Sequence, residues 1–143
     1  MIPLSNIPVL VARTGFTGER GYELFFSADK AIVLWNALLT AGKSRGLLPC
    51  GMTSRDILRL EAGYAQYGID VDETRTPVEP GLMPLVDLTK SFIGKDAIVK
   101  HAGEPIQTKW VGFGLYDKGI PRARGTIVSE NREIGSSTSG NHS

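Results

Sequence analysis

Apolar residues alternate along residues 7–12. Ile7, Val9 and Val11 share one side, and Pro8, Leu10 and Ala12 share the other. A period of two is the strand period, and apolar content on both sides predicts a largely buried strand. Residues 22–26 are aromatic-rich and predict a returning strand. Between them Gly15, Gly18 and Gly21 stand three apart. They predict a tight turn joining antiparallel strands, with glycine supplying positive φ. The period then changes. Ile32, Leu34, Trp35, Leu38 and Leu39 make a broad apolar helical face. Ser27 is the expected N-cap, Asp29 lies in the first turn where the helix dipole favours an anion, and Gly42 is the expected close. Residues 43–51, with Pro49, connect to a second helix from about residue 53 to 62. Its Ile57, Leu58 and Leu60 are expected toward the core.

Residues 64–81 are too rich in proline, glycine and acids for a long regular element, and Pro80-Gly81 signals a turn. Residues 82–88 predict a strand and 94–101 a short helix, broken by Gly103-Glu104-Pro105. Residues 109–115 predict another strand, with small residues interleaved. Two more follow at 126–128 and 133–136, joined by the polar turn Ser129-Glu130-Asn131-Arg132. The fold class is therefore α+β: an antiparallel sheet with two helices, then a β unit. The change in texture places a boundary near Pro105, dividing the chain into domains 1–105 and 106–143. Trp35 and Trp110 are expected to fill cores.

Composition excludes several classes of function. A net charge of +1 gives no electrostatic case for nucleic acid or an anionic membrane surface. No apolar stretch reaches the length of a transmembrane helix. Residues 1–13 lack the basic start and small-residue cleavage site of a signal peptide. Cys50 is the sole cysteine, so no internal disulfide can form and a reducing compartment is expected. No metal site is expected. Asp70, Asp72 and Glu73 lack the glycine and distal glutamate of a calcium loop and read as a solvated acidic loop. His101 and His142 are not spaced as zinc ligands, and no histidine near Cys50 in sequence could activate it.

Two segments stand out chemically. In the first, residues 13–23 (RTGFTGERGYE), the glycines precede a strand, whereas a phosphate-binding loop must open a helix. The alternatives are a tight hairpin or a bare backbone that lets a flat ligand approach. Phe16 would then offer an aromatic face, or simply pack. Glu23 sits on an otherwise apolar strand and must face solvent or a polar partner. In the second segment, residues 54–64 (SRDILRLEAGY), Arg55 and Arg59 lie one helical turn apart. Like charges there repel, so a ligand or partner carboxylate would account for them better. The plain alternative for Arg55 is an ion pair with Asp56, Glu61 or another surface acid. Arg59 reads as a support for the fold.

The runs RTGFTGERGYEL, SRDILRLEAGYAQYGID, TPVEPGL, KSFIGKDAI and EIGSSTSGNHS occur in this order across most of the chain. As a set they resemble the aminomethyltransferase family of the glycine cleavage system, the T-proteins. Family members are much longer, and the chain resembles their middle and part of their C-terminal third. The resemblance implies a folate-binding domain followed by an incomplete C-terminal β-barrel. It implies tetrahydrofolate as substrate and the lipoylated H-protein as partner. Glu23 would match the glutamate that contacts the pterin, a forked acceptor for two parallel N–H donors. Arg55 would match an arginine that helps bind folate, Phe16 would stack on the ring, and Tyr64 would match a pocket-lining position. Many relatives carry tyrosine where Phe16 stands, so a hydrogen bond there is lost and stacking is retained. The family's catalytic aspartate falls outside these residues, so the resemblance implies no catalytic residue in this chain and no activity alone. The location implied is the cytoplasm, or the mitochondrial matrix in a eukaryote. The alternatives are a folate-dependent demethylase domain or a non-catalytic folate-binding or scaffold domain. Residues 90–95 (KSFIGK) lack the cysteine of the iron–sulfur maturation branch, which favours glycine cleavage.

Overall fold

Ser5 and Asn6 turn the chain back on itself almost at its start, both with positive φ (49° and 61°) in the computed structural model, which describes residues 1–141. Two successive left-handed residues match the twist of a hairpin. They join strand β1 (Ile2–Leu4) to β2 (Ile7–Ala12) with Leu4 opposite Ile7 and Pro3 opposite Pro8. The closing pair of a two-residue hairpin is hydrogen-bonded, so alternation puts the prolines in a non-bonded pair, where no ladder bond between these strands is lost. β1 is absent from the sequence reading, although the asparagine is a turn signal.

Strand β3 (Glu23–Phe25) pairs antiparallel with β2, with Ala12 opposite Glu23, giving the order β1-β2-β3. Helix α1 (Ala31–Gly42) supplies Leu34 to a core with Ile7 and Val9, and Leu4, Val11, Leu24 and Phe26 pack around it. One face of β2 is buried; Leu10 on the other is half exposed. The strand is thus the half-buried kind usual in antiparallel sheets, not one buried on both sides.

The ends of α1 differ from expectation. A 3-10 turn (Ala28–Lys30) precedes it, and Ser27 donates its hydroxyl to Asp29 rather than capping a backbone N–H. At the other end, a second 3-10 turn (Lys43–Arg45) carries the helical path past Gly42. The chain reverses at Gly46 (φ 76°), where the Leu47 N–H returns to the Gly42 carbonyl at 3.1 Å. This is a Schellman closure one turn later than expected. Gly42 serves a different purpose, since a Cβ there would lie 2.4 Å from Leu47 Cδ2. Helix α2 (Met52–Glu61) follows.

Residues Met1–Ala62 form one unit, and the chain from Gly63 forms another. In the second unit, residues 82–88 form no strand. Pro84 and the turn at Gly81 (φ 72°) leave a 3-10 turn at Met83–Leu85. Helix α3 (Lys95–Ala102) begins after Gly94 (φ 90°). Residues 109–115 form no strand and no helix, and Val111, Phe113 and Leu115 are at least half exposed. Strands β4 (Thr126–Ser129) and β5 (Arg132–Ser136) form the expected hairpin, turned by Glu130 and Asn131, both with positive φ. Asp70 is buried and is not a solvated loop acid. Its carboxylate accepts from the Gln66 N–H and from the Thr138 and Ser139 hydroxyls. Asp72 and Glu73 are exposed. His142 lies outside the described residues, among which no group of three potential metal ligands occurs.

Three exposed aspartates should make stability sensitive to acid. Lys30 and Ser27 hold the Asp29 carboxyl below its ordinary value of 3.8, while Thr74 does so for Asp72 and Thr89 for Asp87. A carboxyl depressed in the folded state contributes stability above its unfolded value and loses it as pH falls through the folded value. Urea midpoints should therefore fall on acidification below about pH 4. Asp29→Asn and Asp87→Asn together should make that fall shallower.

Candidate functional site

The glycine segment is a loop rather than a tight turn. Residues 13–22 bridge Ala12 and Glu23, which face each other across the sheet. Only Gly18 of the three glycines has positive φ (76°). A Cβ on Gly18 would lie 2.5 Å from the Cβ of Ala62, just past α2. Glycine thus lets the loop seat against the end of the helix. Gly18→Ala should cost about 2–3 kcal/mol, combining left-handed strain with overpacking. A Cβ on Gly15 would meet nothing within 4 Å, so Gly15→Ala should change stability by no more than about 1 kcal/mol in the same urea titration.

This seating brings Phe16 under Arg55. The guanidinium carbon lies 4.7 Å from the ring centroid, a cation–π distance. Arg55 forms no ion pair with an acid among the described residues. Asp56 pairs with Arg59 instead, with Nε 2.8 Å from Oδ1. Arg59 is 1% exposed and is the buried side chain of α2, whereas Leu58 is turned out and 39% exposed. The two arginines therefore divide their roles. One is sunk in the fold with its own carboxylate, and the other is half-buried with its cation over an aromatic face.

Glu23 is exposed, on the solvent side of β3. Its Oε2 accepts a hydrogen bond from Thr14 Oγ1 at 2.5 Å, from the start of the same loop. That bond orients the carboxylate and leaves Oε1 without a partner among the described residues. Sequence reasoning does not single out Thr14, because nothing in a loop threonine nine positions away marks it as a partner of Glu23. Tyr64 lies in the second unit and is 41% exposed.

The structure thus joins Phe16 to Arg55 and Thr14 to Glu23. A cavity of about 380 Å³ lies elsewhere, lined by Phe26, Ala31, Ile32, Leu34, Trp35 and Leu38. It contains none of the four candidates. Chemically, the loop and helix offer an aromatic face, an exposed carboxylate and a cation lacking a described acid partner. That set suits a flat polar ring with hydrogen-bond donors on one edge.

Comparison with known proteins gives the lineage. The GCVT N-terminal domain family matches residues 1–90. The aminomethyltransferase of Halothermothrix orenii (strain H 168) is 49% identical over 141 residues, covering 98% of this chain and 40% of that protein. The aminomethyltransferase of Clostridium botulinum (strain Okra) is 46% identical over 133 residues, covering 92% and 36%. The crystal structure of glycine cleavage system aminomethyltransferase T from Bartonella henselae superposes with a TM-score of 0.82 at 32% identity, over 92% of this chain and 37% of that one. The chain thus spans about two fifths of the length of the relatives it matches. With its family match over residues 1–90, more than half of its length, the chain belongs to the GCVT N-terminal domain family and is similar to the aminomethyltransferases, the T-proteins of the glycine cleavage system.

Proposed function

We propose that this chain supplies the folate-positioning part of a tetrahydrofolate-dependent aminomethyltransferase. The intact enzyme would transfer the aminomethyl group carried on the lipoyl arm of the H-protein to tetrahydrofolate. The products are ammonia and 5,10-methylenetetrahydrofolate. The observation that carries the reading is the pairing of Arg55 with Phe16 rather than with Asp56. An arginine stacked on a ring and lacking a described acid partner suits a ligand better than it suits the fold.

In this reading Glu23 accepts two N–H bonds from the amino edge of the pterin, with Thr14 fixing the carboxylate. Phe16 and Arg55 contact the ring or its carboxylate tail. Tyr64 is assigned on the family resemblance alone. Binding two large substrates in register accounts for much of the catalysis such an enzyme needs. An anion must also stabilise the iminium-like centre, and the family's aspartate for that task falls outside these residues. The chain alone should therefore show no turnover with lipoylated H-protein and tetrahydrofolate; an appreciable rate would overturn this. We assign residues 1–105 to the folate domain and 106–143 to the start of a C-terminal β-barrel. We place the protein in the cytoplasm. No described helix is long and apolar enough to cross a membrane.

Titration with tetrahydrofolate, read by tryptophan fluorescence and calorimetry, tests the reading. Saturable binding supports it. Absence of binding in a well-folded sample would favour a scaffold domain.

A further inference from the structure

Buried polar groups outnumber buried apolar ones in the second unit: among its described residues Val78 is the one buried apolar side chain, whereas Asp70 and Ser137 are both buried. In the β4–β5 hairpin Val128 and Ile134 are more than half exposed, so apolar burial does little to fix it. Hydrogen bonds take over that task. Ser137, just past β5, donates its hydroxyl to the Arg122 carbonyl and accepts the Gly125 N–H at 3.0 Å. Its backbone bonds to the same turn, the Ser137 N–H to the Gly125 carbonyl and the Arg124 N–H to the Ser137 carbonyl. The next two residues reach a distant loop. Thr138 and Ser139 both donate to Asp70 Oδ1, the second at 2.6 Å, while Oδ2 accepts the Gln66 N–H at 2.8 Å.

A carboxylate buried to 3% exposure is costly unless donors satisfy it, so the two sides of this contact depend on each other. We propose that Asp70 is the catch of a strap formed by residues 137–139, so that the end of the hairpin and the loop 66–71 open and close together. Loss of the hydroxyls leaves the buried carboxylate with fewer donors, which loosens the loop. Loss of the carboxylate takes the acceptor from both hydroxyls, which lifts the strap. The coupling is independent of where folate binds.

Amide hydrogen exchange of the 143-residue chain, read residue by residue by NMR, tests this. Gly68 and Asp70 report the loop, because their N–H groups bond to the Val71 and Gln66 carbonyls; Arg124 and Ser137 report the strap. Thr138→Val with Ser139→Ala should speed exchange at Gly68 and Asp70 by about 10- to 100-fold, although those amides bond to carbonyls within the loop. Asp70→Asn should speed Arg124 and Ser137 by a similar factor, because an amide offers one oxygen to donors now shared between two. Amides of α3 and β2 should keep the parent's rates in both variants. An effect confined to the changed side in either variant overturns the proposal, as does parent-like exchange throughout. Should Asp70→Asn release the α3 amides as well, the second unit has unfolded and Ser139→Ala alone decides. It must then speed Gly68 and Asp70 by at least about threefold with α3 unchanged, and failure to do so overturns the proposal.

Discussion

Arg59→Ala is expected to lower the unfolding free energy by about 2–4 kcal/mol. Burial sets the size of this loss. The side chain is among the largest fully buried ones described, at 1% exposure, and it holds Asp56 at 2.8 Å. Truncation removes the packing of a long aliphatic stem and takes the guanidinium away from the Asp56 carboxylate. Asp56 is 37% exposed and can rehydrate, which keeps the loss below that of a fully buried broken pair. Arg59→Met keeps most of the volume and should recover about half of the loss. Arg55→Ala, on the same helix, should cost no more than about 1 kcal/mol, the scale of a part-exposed cation–π contact. Urea denaturation of the three variants checks this. Equal losses for Arg55→Ala and Arg59→Ala would contradict the division of roles.

The second large effect is on ligand affinity, where the order reverses. Arg55→Ala should weaken tetrahydrofolate binding by about 10- to 100-fold, the scale of one or two charge-assisted contacts. Glu23→Ala should do the same. Glu23→Gln should fall between, because the amide keeps one acceptor but loses the charge and the second lone-pair edge. Thr14→Val should cost less than tenfold, since it frees the carboxylate to rotate without removing it. Arg59 variants that remain folded should bind nearly as the parent does. Calorimetric titrations at fixed salt separate these cases, and an unchanged affinity in both Arg55→Ala and Glu23→Ala would show the residues to be misassigned.

Much of the first unit was legible in the sequence because its signals were periodic. The alternation at Ile7, Val9 and Val11 located the central strand, and the run from Ile32 to Leu39 located α1. What failed was the question of which side is covered. Periodicity reports an apolar face but not its partner. Trp35 and Ile32 therefore read as core, yet they stand exposed. In α2 the leucines drew attention from Arg59, because a buried cation depends on a carboxylate whose reach composition cannot show. The strand expected at 109–115 has the right residues and no neighbour to pair with among the described ones, and β propensity alone does not make a ladder. At the candidate site, Glu23, Phe16 and Arg55 were named from motif and family resemblance. The contact between Phe16 and Arg55 follows from Gly18 seating the loop against Ala62, a close approach that spacing alone could not give.

A crystal structure of the chain soaked with tetrahydrofolate bears most directly on the account. It should show the pteridine beside Phe16, its amino edge on the Glu23 carboxylate and the Arg55 guanidinium in contact with the ligand. Density for the ring in the apolar groove of α1, or anywhere out of reach of both Glu23 and Arg55, would contradict it.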